Sequence, residues 1–266
     1  MTSKLFLLFF IGLTLMVAGC SDEPPHAKKA ASQQQPAPSP PPAPAPAPVP
    51  KPAARSAVWP FLSEDAPVGG LAENLTAKNY LLIFDGSGSM QDKKCSGNRQ
   101  KIEVAKKAVT AWSKSIPANA NLGLFAFHNL GTLTLPLATG NRDAFNQAIG
   151  QIQAGGKTPL SDAIIYAYNT FTEQGQRQLG YGEYTIVVVT DGYANSISRL
   201  KDVVDKVLAR SPIIIYSIGF CIGEEHSLNQ PGRTIYKSAD NPEQLQKGLQ
   251  EVLAESESFD EDAFTR

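Results

Sequence analysis

The sequence predicts an α/β domain, a doubly wound and mostly parallel sheet with one antiparallel edge strand and helices on both faces. Three observations carry that expectation. Apolar runs of strand length end in the same dipeptide, at Asp85-Gly86 and again at Asp191-Gly192, as expected of strands buried on both faces. Segments with helical apolar spacing lie between the strand-like runs, the alternation that builds parallel sheets. The 20 prolines of the 266-residue chain are also uneven, with twelve between Pro24 and Pro52. That leaves about 200 residues outside the proline-rich part, enough for one domain with a sizeable core.

The elements follow in order. Residues 79–85 (NYLLIFD) form the first strand. In 100–115, Ile102, Ala105, Val109 and Trp112 recur at helical spacing, and Pro117 closes that helix. Residues 120–128 (ANLGLFAFH) are a second strand, joined through Asn129-Leu130 to 131–137 (GTLTLPL), so a tight hairpin supplies the antiparallel strand. Helices are expected over 141–152 and 159–174. The most apolar strand, 183–190 (EYTIVVVT), comes next. A helix over 197–209, strands over 213–219 and 234–237, and a last helix over 242–254 complete the domain. In that helix Leu245, Leu249 and Val252 are spaced to face the core. The assigned bounds are 76–256 for the domain, 59–75 for the segment leading into it and 257–266 for an acidic tail.

The first twenty residues, MTSKLFLLFFIGLTLMVAGC, place Lys4 ahead of an apolar run from Leu5 to Val17. That run is too short for a membrane span, which needs roughly 20 residues, and it fits a secretory leader. Ala18-Gly19-Cys20 resembles the signal of bacterial lipoproteins, which implies cleavage after residue 19 and lipidation of Cys20. Ser21 after the cysteine favours the outer membrane, facing the periplasm of the bacterial envelope. Residues 20–58 read as a tether. Ten of the seventeen residues from Pro36 to Pro52 are proline, so polyproline II is expected, with a reach of about 50 Å. The net charge of −1 argues against nucleic acid, because nothing here neutralises a row of phosphates.

In a doubly wound sheet the loops after the strands' carboxyl ends meet on one rim. Three oxygen-bearing segments fall there: Asp85-Gly-Ser87-Gly-Ser89, Gly155-Gly-Lys-Thr158 and Thr190-Asp191-Gly192. Two carboxylates and three hydroxyls suit a hard cation, with octahedral geometry favouring Mg²⁺ and with Mn²⁺ or Ca²⁺ as alternatives. No histidine or cysteine belongs to the set, which argues against zinc.

Asp85, Ser87, Ser89, Thr158 and Asp191 resemble the metal-ion-dependent adhesion site (MIDAS) of the von Willebrand factor A (vWA) family, whose pattern is Asp-x-Ser-x-Ser with a distal Thr and a distal Asp. The resemblance spans roughly residues 76–256 and implies the Rossmann-like vWA fold. It also implies a Mg²⁺ held by these five residues and a protein partner that gives the metal an Asp or Glu carboxylate. Lys93, Lys94, His128, Asn129, Tyr193 and Asn195 would rim the site without individual roles.

Catalytic readings fit less well, so a non-enzymatic binding protein is expected. Counting from Asp85, the twelfth position of an EF-hand loop would be Ser96, not a carboxylate. Gly156-Lys157-Thr158 lacks the upstream glycine of a phosphate loop, since Gln151 stands there. His26, His128 and His226 have no visible carboxylate to orient them as a base. The rivals to partner binding are a scaffold in an envelope assembly whose metal only stabilises it and, fitting less well, a metal-assisted hydrolase. Finally, Cys95 and Cys221 lie on loops of the same rim, and outside the cytoplasm a Cys95–Cys221 disulfide is expected.

Overall fold

The computed structural model describes residues 59–61 and 69–257. The leader, Cys20, the tether and the end of the tail lie outside the described residues.

Six strands form one sheet: β1 (Lys78–Asp85), β2 (Asn121–His128), β3 (Gly131–Ala138), β4 (Glu183–Thr190), β5 (Ile214–Phe220) and β6 (Ile235–Ala239). Their order is β3-β2-β1-β4-β5-β6, and every neighbouring pair is parallel except β2–β3. The antiparallel pair is the hairpin expected at Asn129-Leu130, where His128 pairs with Gly131. The helices are α1 (Lys101–Ser115), α2 (Arg142–Gln151), α3 (Leu160–Arg177), α4 (Ile197–Arg210) and α5 (Pro242–Glu257). One short element had no signal in the apolar pattern, a 3-10 turn over Gly88–Gln91.

Side-chain alternation explains why both faces need a cover. On β1, Tyr80, Leu82 and Phe84 join a core under α1, α2 and α5, while Leu81 and Ile83 join a second core under α3 and α4. The central strands are buried almost throughout, and the edge strand β3 alternates between exposed and half-buried residues. Leu245, Leu249 and Val252 of α5 are core residues, as their spacing required.

Trp59 and Pro60 precede the expected start of the domain, yet both are buried. The Trp59 indole donates to Thr172 Oγ1 at 3.1 Å and meets the Tyr184 ring edge-on at 4.8 Å. Gly175, inside α3, makes room for it: a Cβ there would lie 2.5 Å from the indole. Tyr184 is near the start of β4, so this contact sits at the pole opposite the strands' carboxyl ends.

Candidate metal centre

The strand order reverses between β1 and β4, because β1 continues to β2 on one side while β4 leads to β5 on the other. Such a switch point opens a crevice at the strands' carboxyl ends. Asp85 ends β1 and Asp191 follows β4, so the topology alone puts both carboxylates at this crevice.

Three loops are stitched together around it. Gly86 N–H donates to Phe127 O at 2.8 Å, Gly155 N–H to Gly86 O at 2.8 Å, and Gly88 N–H to Gly156 O at 3.2 Å. Gly86 has to be glycine, since a Cβ would lie 2.8 Å from both Phe127 O and the Ile152 side chain. Thr158 is clamped to the loop after β4 by Asn195, whose side-chain carbonyl accepts from Thr158 N–H at 3.0 Å and whose own N–H donates to Thr158 O at 3.1 Å.

Within this frame the five residues singled out by the sequence come together. Ser89 Oγ donates to Asp191 Oδ1 at 2.6 Å, and Ser87 Oγ lies 3.1 Å from Ser89 Oγ. Ser89 has one hydroxyl proton and it goes to Asp191, while the Ser87 hydroxyl stands between Ser89 and Asp85. Asp85 Oδ1 accepts from Ser87 N–H at 2.8 Å. Thr158 completes the group: a Cβ placed on Gly192 would sit 3.4 Å from Ser89 Oγ and 4.0 Å from Thr158 Oγ1, so the two hydroxyls converge on that point.

Two participants went unnoticed in the sequence. Thr190 Oγ1 donates to Asp85 Oδ2 at 2.6 Å, so the last residue of β4 holds the last residue of β1. Lys101 Nζ, with only 6% of its side chain exposed, lies 2.9 Å from Asp191 Oδ2 and 3.9 Å from Asp92 Oδ2. A lysine in the first turn of an amphipathic helix, where the dipole disfavours a cation, was the available signal. Of the rim residues, Lys93, Lys94 and Asn129 are exposed. His128 Nδ1 lies 3.1 Å from Asn129 Oδ1 and accepts from Leu130 N–H at 3.5 Å. Tyr193 stacks on His226, whose Nε2 lies 3.0 Å from Gly192 O, and burial holds the His226 pKa below its ordinary value.

Asp85 and Asp191 differ electrostatically. Asp85 is fully buried, and burial pushes its pKa up to about 6 against the partial relief of hydrogen bonds from Ser87 and Thr190. All its hydrogen-bond donors, from Ser87 and Thr190, are neutral. A buried carboxylate with neutral donors, beside hydroxyl oxygens that keep free lone pairs, fits a hard divalent cation. Among the described residues no group of three or more His, Cys, Asp or Glu side chains is arranged to hold a metal.

The two cysteines of the expected disulfide stand side by side on the rim, without a bond between them. Cys95 and Cys221 are both free thiols. Cys221 Sγ donates to Lys94 O at 3.2 Å instead, and burial, with Cys95 beside it, drives its pKa upward, so the thiol stays protonated.

Comparison with known proteins agrees with this architecture. The model of the von Willebrand factor type A domain matches residues 80–194. Among curated relatives, the uncharacterized protein YwmD of Bacillus subtilis is 27% identical over 46% of this chain and 58% of its own length. Inter-alpha-trypsin inhibitor heavy chain H4 of Bos taurus is 27% identical over 66% of this chain and 20% of its own. This chain thus spans well under two thirds of either relative.

Three solved structures share the fold. A von Willebrand factor type A protein from Catenulispora acidiphila superposes with a TM-score of 0.55 at 18% identity, covering 68% of this chain and 43% of its own. The PilB minor pilin of Streptococcus sanguinis gives 0.53 at 17%, covering 68% and 61%. Proximal thread matrix protein 1 from the mussel byssus, with a zinc-occupied MIDAS motif, gives 0.53 at 18%, covering 67% and 47%.

Proposed function

We propose that this protein is a lipid-anchored component of a bacterial envelope whose vWA-type domain captures a protein partner through a divalent cation. Asp85, Ser87, Ser89, Thr158 and Asp191 would hold the ion, Mg²⁺ being the best match to their donor chemistry. The bound cation would supply an open coordination position for an Asp or Glu carboxylate of the partner. The observation that carries the reading is the convergence of these five side chains, from three loops, at the switch point of the sheet. The pilin and the zinc-bearing matrix protein among the structural neighbours support an interaction role over catalysis.

The residues of the chain divide the work. Asp85 supplies the buried negative charge, and Thr190 fixes its orientation. Ser87 and Ser89 offer neutral lone pairs, which add no charge to that of the two aspartates. Asn195 keeps Thr158 against the loop that carries Asp191. Trp59 ties the start of the domain to the far end of β4, about 25 Å from Asp191 at the rise of an extended strand. The proline-rich stretch would act as a spacer between the domain and a membrane anchor at Cys20. No part of this scheme calls for nucleic acid.

The decisive experiment is capture of partners from envelope extract by the mature chain, with Mg²⁺ or with EDTA, alongside Asp85→Ala. Capture lost on chelation and in the variant, with circular dichroism unchanged, is the expected result. Capture that survives EDTA would overturn the reading, and metal-dependent thermal stability without metal-dependent capture would favour the scaffold role.

A further inference from the structure

Lys101 is a resident cation inside the candidate metal centre. Its side chain is 94% buried and stands at the amino end of α1, where the helix dipole is also positive. Both circumstances disfavour a charge there, so its partners must hold it. The groups facing it are Asp191 on the loop after β4, Asp92 on the loop before α1, and Cys221 after β5. Cys221 is a neutral thiol and Asp92 stands 3.9 Å away, exposed to solvent. Asp191 is the close partner, at 2.9 Å with 0% of its side chain exposed. One oxygen of Asp191 therefore faces Lys101 and the other faces Ser89.

We infer that Lys101 sets the charge of this site: it holds the rim together when no metal is bound, weakens the standing affinity for a divalent cation, and leaves the loaded site with a net positive charge that an incoming carboxylate neutralises. Two aspartates alone would cancel a divalent ion. With Lys101 counted, the buried part of the site carries one positive charge in excess, since Asp92, the other carboxylate near Lys101, is exposed and screened by solvent. A site of that balance keeps its ion poorly by itself and better once an anionic ligand joins it. Lys101 is thus a positioning residue, acting through Asp191 and not on the partner. The inference rests on the divalent-cation reading of the site.

Binding of Mn²⁺ to the mature chain, followed by electron paramagnetic resonance of the free ion, tests it. Lys101→Gln keeps a donor for Asp191 without the charge, Lys101→Met removes both, and Lys101→Arg keeps the charge. Expected are Mn²⁺ binding about tenfold tighter in Lys101→Gln and close to wild type in Lys101→Arg. The metal-free melting temperature should fall in Lys101→Met. Sodium acetate, compared with sodium chloride at equal ionic strength, should tighten Mn²⁺ binding more in wild type than in Lys101→Gln. Equal or weaker Mn²⁺ binding in a folded Lys101→Gln protein overturns the inference, as does an equal effect of acetate. Loss of Mn²⁺ binding in Asp85→Ala shows that the site reading itself stands. Absence of binding in wild type would overturn the site reading, and the inference with it.

Discussion

Asp85 is the residue on which the electrostatics of the rim turn. Burial raises its pKa from 3.8 to about 6, so the folded, metal-free domain holds a proton there that the unfolded chain has already released. For a carboxylate raised in this way, the stabilising contribution is complete below about pH 3.8. It is lost as pH climbs through about 6. Asp85→Asn removes this dependence. The metal-free variant should therefore gain on wild type as pH rises from 4 to 7, by up to about 3 kcal/mol in chemical denaturation. Comparing the two proteins cancels the opposite contribution of His226, which is held neutral by burial and loses stability as pH falls below 6.5. Metal affinity should move the other way. Mg²⁺ binding by wild type should weaken about tenfold per unit below pH 6, because a proton competes for Asp85, and Asp85→Asn should abolish it at every pH. Calorimetric titration at pH 5, 6 and 7 reads both effects.

At the scale of elements, α3 shows a glycine that helix propensity alone would misjudge. An alanine inside a helix is ordinarily favoured over glycine by about 1 kcal/mol. At Gly175, however, the added methyl would sit 2.5 Å from the Trp59 indole and 3.0 Å from Pro60, both packed in place. Gly175→Ala should thus destabilise the domain by about 1–3 kcal/mol, and thermal denaturation gives the sign directly. A higher melting temperature would mean that Trp59 is free to move aside. The helices and strands themselves were legible from their periodicity. The short turn over Gly88–Gln91 was not, because its geometry answers to the loop contacts of Gly88 with Gly156 rather than to any apolar pattern.

For the whole molecule, the domain begins earlier in structure than in sequence pattern. Residues 59–75 have neither strand alternation nor helical spacing, yet Trp59 is 7% exposed and fills space between α3 and β4. A chain starting at residue 59 should melt like the mature protein, whereas one starting at 62 should melt about 5–10 °C lower, the loss expected for one large buried aromatic. Equal melting of the two would show that the Trp59 contact adds nothing to stability.

By itself the sequence determined the alternation of strands and helices, the hairpin, and the five oxygen-bearing positions on three loops. These are local patterns, written by side-chain period and by glycine and proline at turns. Tertiary structure alone decided the electrical character of the site. Thr190 reaches Asp85 across 105 residues of chain and Lys101 reaches Asp191 across 90, pairings that no local pattern encodes. It also set the thiols of Cys95 and Cys221 beside each other, a contact between loops far apart in the chain. The physical reason is the same throughout. Period and turn chemistry act between neighbours in sequence, whereas burial and charge pairing are properties of distance in space, and the fold is what sets that distance.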